Sequence, residues 1–348
     1  MPSLKYAAIG AMFEALWLSR LPALIRALSS SRGVIFTLHR VLPEEPADFA
    51  PNAILQVRPD FLEYCIIRIR ALGIDIVSLD EAVIRMAATD DHERPFVVFS
   101  FDDAYKDNLR YALPILIQHN CPFTLYVPTA LVDGVGEVWW QAIEDIITRQ
   151  DAIAITQGDE TEYLDTRTTA QKQAAYDILY WRLRKMPEAD RVELLRSFAT
   201  SYGYDLDRQC RELIMDWQEL RLFSGEPLCT IGAHTVHHYE LAKLPIDQAR
   251  SEMAQSAEVL FAQFGERPLH ISYPIGGPAS AGPREFQLAR ELGFRTGVTT
   301  RPGGIYARHA LTPHALPRVS LNGLFQKKRY VDVFATGTIF SAMGRITG

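Results

Sequence analysis

Short apolar runs rich in β-branched and aromatic residues alternate with longer helix-like patterns along most of the chain. The clearest run is PFVVFSF at 95–101, and similar runs lie at 33–39, 123–128, 229–235 and 295–300. Strands that are buried on both faces have this continuously apolar composition. Repeated strand–helix alternation is typical of a parallel sheet with helices outside it, either open or closed into a barrel. The 348 residues, 48% of them hydrophobic, are enough for a large core.

Charge and cysteine usage exclude several other classes of protein. The formal net charge is −6, and acidic and basic residues are spread along the chain. A nucleic-acid partner is therefore not expected, since it would need clustered Lys and Arg. The cysteines are far apart without CxxC spacing, which argues against structural zinc and a disulfide framework. They are Cys65, Cys121, Cys210 and Cys229. We therefore expect a cytoplasmic protein, either free or at the inner membrane face.

The first 30 residues are predicted to form an amphipathic helix that precedes the main domain at 31–348. Glu14 and Arg20 interrupt its apolar run and Pro22 follows, so neither a usual secretory signal nor a membrane-spanning helix fits. Three interpretations stay open: a helix packed on the domain surface, an interfacial helix in peripheral contact with a membrane, or an atypical export signal. The residues expected on one side of this helix are Leu4, Ala8, Met12 and Leu16.

Residues from about 137 to 222 break the strand–helix alternation. They read mostly as helices, with a hairpin at 152–166, and we interpret them as an insertion packed beside the main sheet. Within the insertion, Trp139 and Trp140 are either stacking partners for sugar rings or a pair of core tryptophans. The segment 323–346 is predicted to form a closing amphipathic helix. Its KKR sequence is expected on a solvated face, and a contact with lipid or an anionic glycan is the alternative.

Two adjacent carboxylates, Asp102 and Asp103, directly follow the clearest apolar run. Neighbouring negative charges repel each other and are costly to remove from water, so some partner must compensate them. His234 and His238 follow another apolar run, and on a helical turn they would point the same way and could share a metal ion. Two ordinary histidines are the alternative, and His237 would face elsewhere.

The carboxyl ends of parallel strands meet at one edge of a sheet, where ligands and catalytic groups gather. An aspartate with two histidines is also a usual metal-ligand set that leaves open positions for water and substrate. A third apolar run, ISYPIGG at 271–277, turns into Pro and Gly. Tyr273 and Pro274 are candidates to line a substrate groove there, and a plain strand-to-loop turn is the alternative.

The stretch SFDDAY resembles the first motif of the polysaccharide deacetylases of carbohydrate esterase family 4, the NodB homology group. HTVHH is similar to the second motif of that family, and the order and strand-end positions of the two motifs agree with it. The resemblance covers roughly 33–136 and 228–320, and it does not extend clearly to the insertion or the N-terminal helix. It implies an α/β fold of the distorted (β/α)7-type barrel kind, the NodB homology fold.

The resemblance also implies roles for the strand-end residues. Asp102 would be the catalytic base, while Asp103, His234 and His238 would bind one divalent metal ion. Zn²⁺ is the expected ion, with Co²⁺, Ni²⁺ or Mn²⁺ as alternatives. The implied substrate is an acetylated saccharide or glycolipid, from which a metal-activated water would remove an N-acetyl group. A backbone N–H after the aspartates, such as that of Tyr105, is the candidate partner for the developing oxyanion.

The chain departs from the family pattern at two motifs. The third motif normally supplies an arginine that orients the base, but SYPIG has Ser272 and Tyr273 instead, and Arg318 in LPR is the candidate replacement. No clear Leu-x-His motif supplies the acid histidine. His309 and His314 are nearby but do not lie clearly at a strand end, and a later histidine of this kind stays the alternative to His39. His39, at the end of the first apolar run, resembles the acid histidine of the permuted branch that includes the biofilm poly-N-acetylglucosamine deacetylases, so we assign it that role. A strand-end histidine satisfied by backbone groups is the alternative.

Three interpretations of the function stay open. The leading one is a metal-dependent hydrolase that removes N-acetyl groups from an amino-sugar glycan or glycolipid. An O-acetyl esterase or another amide hydrolase on the same scaffold is the second, because esters and amides both pass through a tetrahedral intermediate. A non-catalytic glycan-binding relative is the third, and the intact set of aspartates and histidines argues against it.

Overall fold

The computed structural model of the chain describes residues 4–88, 94–337 and 339–340. Its longer parallel strands follow the predicted apolar runs. The strands are β1 (Gly33–Leu38), β2 (Arg40–Val41), β3 (Gln56–Val57), β4 (Asp75–Ile76), β5 (Phe96–Asp102), β6 (Phe123–Val127), β7 (Ala152–Gln157), β8 (Glu160–Asp165), β9 (Cys229–Ala233), β10 (His270–Ser272), β11 (Thr296–Val298) and β12 (Val319–Ser320). The α-helices are α1 (Leu4–Leu18), α2 (Leu21–Leu28), α3 (Pro59–Ala71), α4 (Leu79–Ala87), α5 (Leu113–Gln118), α6 (Thr129–Val132), α7 (Trp139–Arg149), α8 (Thr169–Lys185), α9 (Glu188–Ser201), α10 (Leu206–Leu213), α11 (Trp217–Ser224), α12 (Ile246–Phe264), α13 (Pro283–Glu291) and α14 (Val331–Phe334).

One parallel sheet organises the molecule. Its strand order is β11-β10-β9-β6-β5-β1-β12, and β4 also pairs with β5. The two edges of this sheet approach each other. Leu316 forms a parallel bridge with Val298 of β11, and the following β12 pairs with β1. The sheet therefore curves into a distorted barrel, which confirms the predicted fold class. The carboxyl ends of its strands share one edge.

Alternate side chains of β5 face opposite sides of the sheet. Phe96 and Val98 belong to a small apolar cluster on the inner face, while Val97 and Phe99 belong to the larger core under the surrounding helices. Because successive side chains of a strand alternate, Ser100 and then Asp102 continue the inner row. The inner face is thus apolar at the amino end of β5 and polar at its carboxyl end.

The N-terminal segment contains two helices, not the single helix that was predicted. Pro22 has no N–H for the helical hydrogen bond, so it is tolerated only in the first turn of a new helix, and Arg20 between the helices has φ 55°. Helix α1 packs on the domain through Phe13, whose ring contacts Phe325 and Phe334 edge-on. Within the described residues, no helix combines the length and the apolar composition needed to span a membrane.

The C-terminal region also differs from its prediction. Short turns and α14 replace a continuous helix over 323–346, of which residues 338 and 341–346 lie outside the described part of the chain. The basic side chains of the KKR sequence are not simply solvated, since Lys327 and Arg329 each bind Glu14 of α1 at 2.6 Å. Hydrogen bonds from Arg329 and Lys327 lower the pKa of Glu14 to about 2. This ion pair helps to hold α1 against the domain.

The insertion consists of α7 to α11 and the antiparallel hairpin β7–β8, in agreement with the helical and hairpin patterns. Trp139 and Trp140, at the start of α7, are both buried, which favours the interpretation as a core pair. The carbonyl of Trp140 accepts a hydrogen bond of 2.7 Å from Asn52. Tyr176 of α8 donates to the same asparagine side chain at 2.9 Å. The insertion is therefore joined to the barrel by buried polar contacts as well as by apolar packing.

Candidate active site

The predicted site residues meet at the carboxyl edge of the sheet. Asp102 is the last residue of β5, and His39 and His234 directly follow β1 and β9. These strands are close neighbours in the order β9-β6-β5-β1. Arg318 immediately precedes β12, which pairs with β1. Segments that are far apart in the sequence are therefore brought to one place by parallel pairing.

Unusual backbone conformations are concentrated at this edge. Seven non-glycine residues of the described chain have positive φ, and five of them lie in the loops that follow β5, β9 and β10. Such conformations cost free energy and persist where the surrounding structure holds them, often at functional sites. They are Asp103 (74°), Ala104 (59°), Thr235 (64°), His238 (59°) and Ile275 (61°). At Asp103 the positive φ ends the alternation of side chains along the strand, so its carboxylate points away from that of Asp102.

Asp102 is buried and held by Arg318 through two parallel hydrogen bonds. The Nη1 and Nη2 groups donate to Oδ1 at 2.8 Å and Oδ2 at 2.7 Å. Ser272 adds a longer hydrogen bond of 3.3 Å to Oδ2. Burial by itself raises the pKa of Asp102, but the charge and hydrogen bonds of Arg318 outweigh it and the pKa is lowered. Asp102 is therefore an ionised carboxylate in a fixed orientation.

Arg318 is fully buried and has an acceptor for each of its five N–H groups. Besides the two bonds to Asp102, it donates to the Oγ of Ser100 at 3.2 Å and of Ser272 at 3.0 Å. Its Nε donates to the carbonyl of Thr299 at 2.9 Å. The hypothesis that Arg318 replaces the missing orienting arginine agrees with this geometry, since the side chain reaches Asp102 from a different strand.

Asp103 faces the two histidines. Its Oδ1 lies 3.4 Å from Nε2 of His234 and 3.3 Å from Nε2 of His238. One ligand atom from each of the three residues falls within 4.8 Å of the others, and all three side chains are buried. Burial raises the pKa of Asp103, but its electrostatic interactions with His238 and His234 outweigh this effect and place the pKa well below its usual range.

A further hydrogen bond orients one histidine of this cluster. The Nδ1 of His234 donates to the carbonyl of Ser272 at 2.7 Å, so its Nε2 keeps a lone pair directed at Asp103, as in histidines that bind metals. Asp103 Oδ1 and His238 Nδ1 are buried without a hydrogen-bond partner among the described residues. An orphaned carboxylate oxygen beside two imidazole nitrogens fits a divalent cation of the zinc type.

His234 and His238 do not lie on a helical turn, so that part of the prediction is wrong. They belong to a loop after β9, in which positive φ at Thr235 and a 3.1 Å bond from His238 N–H to the Thr235 hydroxyl reverse the chain. His237 faces elsewhere, as expected, with Nδ1 2.6 Å from Glu252. The other oxygen of Glu252 accepts the backbone N–H groups of Val236 and His237 at 3.0 and 2.8 Å. Glu252 therefore supports the loop, and sequence reasoning missed it.

His39 directly follows β1 and is half-buried. Its carbonyl accepts a 2.9 Å bond from Asn108, while Asp107 accepts bonds from Arg40 Nε at 2.9 Å and Val41 N–H at 2.8 Å. The buried pair Asp107–Asn108 thus fixes the segment that carries His39. Sequence reasoning missed this pair, although two polar residues so close behind SFDDAY were a usable signal. Burial lowers the pKa of His39, and the opposing charges of Asp103 and Asp102 do not fully offset it.

The residues predicted to bind substrate have different outcomes. Tyr105 is buried beside the site, where its hydroxyl accepts a 2.9 Å bond from Trp140, whose ring is 5.1 Å from that of His238. The prediction for Tyr273 is wrong, because its side chain is fully buried and its hydroxyl donates to the carbonyl of His314 at 2.8 Å. Strand alternation turns Ser272 inward and Tyr273 outward. Pro274 is buried, and its role stays a prediction.

Comparison with known proteins adds independent information. A family model described as polysaccharide deacetylase matches residues 89–297. The protein named "Putative polysaccharide deacetylase YxkH" of Bacillus subtilis (strain 168) is 36% identical over 86 residues, which are 23% of this chain and 30% of that relative. The chain therefore spans about a third of the length of the curated relative it matches.

Two solved structures share the fold over most of the chain. One is the deacetylase PplD of Streptococcus pyogenes in complex with acetate, with TM-score 0.58, 17% identity and coverage of 87% of this chain and 97% of that one. The other is IcaB from Ammonifex degensii, with TM-score 0.54, 17% identity and the same two coverages. At these identities the likeness shows the fold.

Proposed function

The chain belongs to the polysaccharide deacetylase family, and from this premise we propose that it removes N-acetyl groups from an amino-sugar glycan. The observation that carries the proposal is the pair of carboxylates at the end of β5. Asp102 is fixed by Arg318, and Asp103 completes a buried ligand set with His234 and His238. A base and a cation site side by side are the parts that metal-assisted hydrolysis of an amide requires.

Asp103, His234 and His238 would hold one divalent ion, with Zn²⁺ as the ion that suits this ligand set best. When bound, the ion supplies Lewis-acid polarisation of the acetyl carbonyl and lowers the pKa of water. The protein contributes the orientation: Ser272 fixes the ring of His234 through its carbonyl, and Glu252 fixes the backbone just before His238.

Asp102 would accept the proton of the attacking water. Its lowered pKa keeps it ionised, and its two oxygens cannot turn away because Arg318 binds both. Deprotonated water adds to the acetamide carbon, and the C–N bond then breaks to give acetate. The nitrogen of the sugar leaves as an amine and needs one proton to do so. Asp102 has taken up one proton from water, so the protons balance.

His39 would deliver that proton to the leaving nitrogen. Imidazole is the side chain best suited to carry a proton near neutral pH, and His39 lies near the aspartates at the same sheet edge. Because burial lowers its pKa, we expect His39 to be neutral at neutral pH and to gain its proton during turnover. His39→Ala is expected to lower turnover strongly while metal content stays unchanged. Loss of metal in this variant would instead identify His39 as a ligand or a structural residue.

Acetate release tests the proposal directly. Zn²⁺-loaded protein is incubated with N-acetylglucosamine oligomers and, in parallel, with O-acetylated oligosaccharides, with and without chelator. We expect acetate and free amino groups in equal amounts from the N-acetylated substrate, and neither after chelation. Release from the O-acetylated substrate alone would establish an esterase instead. No release from either substrate by metal-loaded protein would reject the proposed reaction.

A further inference from the structure

The end of α1 and three leucines of α2 expose large apolar side chains. Five of the eighteen exposed large apolar residues of the described chain fall within 17–28. They are Trp17, Leu18, Leu21, Leu24 and Leu28, with exposures of 40, 71, 42, 53 and 77%. We refer to these five residues as the N-terminal apolar surface. Concentrated exposed apolar groups mark interaction sites on soluble proteins.

The two helices use their apolar residues differently. Phe13 of α1 is only 2% exposed and lies in the core, so α1 is attached to the domain. In α2, Leu21, Leu24 and Leu28 recur at intervals of three and four residues, which is the spacing of a helix face that normally packs on a core. Here that face is turned to the solvent. Among the residues that the structure describes, the stripe therefore lacks the partner that its spacing implies.

Charge around this surface points to one kind of partner. The sequence from 15 to 43 contains no acidic residue, although the whole chain has a formal net charge of −6. Arg20 and Arg26 lie among the exposed leucines in sequence, and the guanidinium of Arg329 lies over the ring of Trp17 at 5.4 Å. An apolar stripe with Trp and Arg at its border matches the two layers of a lipid surface, acyl chains and anionic head groups.

We propose that the N-terminal apolar surface docks this protein on an anionic lipid bilayer. The leucines of α2 enter the boundary of the acyl chains, and the exposed Arg20 binds the head groups. With eight residues, α2 is far too short to cross the bilayer, so the contact is peripheral. A symmetric dimer through the same face is disfavoured, because it would bring Arg20 close to the same positive charge of the second copy.

Vesicle co-sedimentation of the full chain tests this docking. We expect wild type to bind vesicles of phosphatidylcholine with about 30% phosphatidylglycerol, to bind pure phosphatidylcholine less, and to dissociate as salt rises. The double variant Leu24→Ser/Leu28→Ser is expected to bind at least about tenfold more weakly. Leu311→Ser is the matched control, since Leu311 is 87% exposed elsewhere on the molecule, and it should bind like wild type.

Equal thermal unfolding midpoints of the variants and wild type check that folding is retained. Wild type that stays in the supernatant with both kinds of vesicle overturns the proposal. So does a double variant that binds as tightly as wild type. If wild type is instead a dimer in solution that the double variant converts to a monomer without any vesicle binding, the partner is a second copy of the chain. These results are independent of acetate release, so the docking and the proposed reaction can fail separately.

Discussion

Asp102 and Asp103 are adjacent in the sequence but belong to two different regions of the molecule. Asp102 lies in the barrel interior, where the five N–H groups of Arg318 all have acceptors. Asp103 lies in the loop region, where its Oδ1 and the Nδ1 of His238 have no hydrogen-bond partner among the described residues. The interior network is complete without any ligand. The loop cluster is incomplete, and buried polar atoms of this kind are costly unless a cation or water pairs with them.

Strand geometry explains why neighbours have such different surroundings. Alternation along β5 directs Asp102 to the inner face, and positive φ at Asp103 then turns the chain toward the loop after β9. If the loop region holds the metal and the interior holds the base, substitutions in the loop region remove the metal. Substitutions in the interior then change turnover and leave the metal bound.

Asp103→Asn is expected to have the largest effect. An amide keeps the shape but not the charge, so two histidines and a neutral oxygen should no longer retain the ion. We expect about one divalent ion per chain in wild type and almost none in the variant, with loss of nearly all acetate release. Elemental analysis after gel filtration measures this. His119→Ala is the control, because His119 pairs with Glu63 away from the site. Full metal content in Asp103→Asn would refute the ligand assignment.

Asp102→Asn should lower turnover by about 10²–10⁴-fold, the usual contribution of a general base. Metal content should stay at the wild-type value, because Asp102 contacts Arg318 and not the histidines. Comparing acetate release with metal content in the same preparation separates the two aspartates. Loss of metal in both variants would mean that the two regions are one functional unit.

The sequence predicts the sheet well but not its long-range contacts. Continuous apolar composition identified β1, β5, β6 and β9 because it reflects burial on both faces. The pairing of Arg318 with Asp102 spans 216 positions and depends on curvature of the sheet, so the sequence could supply only a candidate arginine. Motif spacing likewise identified His234 and His238 without the loop that aims them.

Other differences between prediction and structure have local causes. Tyr273 was expected in a groove, but a one-residue step along a strand moves a side chain to the opposite face. Glu252 could not be identified, since its contact with the loop at 236–237 joins separate elements. The sequence shows Asp107 and Asn108 as polar residues next to a motif. Only their burial in the structure indicates that they support the segment carrying His39.

Arg318→Lys should have an intermediate effect. Lysine keeps the positive charge but cannot form two parallel bonds to a carboxylate. Asp102 would then lose its fixed orientation. Displacement of a catalytic group by about 1 Å lowers the reaction rate by about 10²-fold or less. We expect kcat to fall while KM and metal content stay near wild type. An unchanged kcat would show that charge alone, without orientation, is what the interior region provides.

Ser272→Ala should have the smallest effect, and it tests how complete the interior network is. The serine hydroxyl gives Asp102 a bond of 3.3 Å and accepts one of 3.0 Å from Arg318. The two shorter Arg318 bonds remain in the variant, so we expect a stability loss of about 1 kcal/mol and a turnover decrease of less than about tenfold.

Ser280→Ala is the matched control, since that buried serine bonds to Glu240 at 2.6 Å. A similar melting shift in both variants, with slower turnover in Ser272→Ala alone, would show that the interior hydroxyl acts on Asp102 beyond its share in stability. Loss of metal in Ser272→Ala would contradict the separation of the two regions, because only the carbonyl of Ser272 contacts His234.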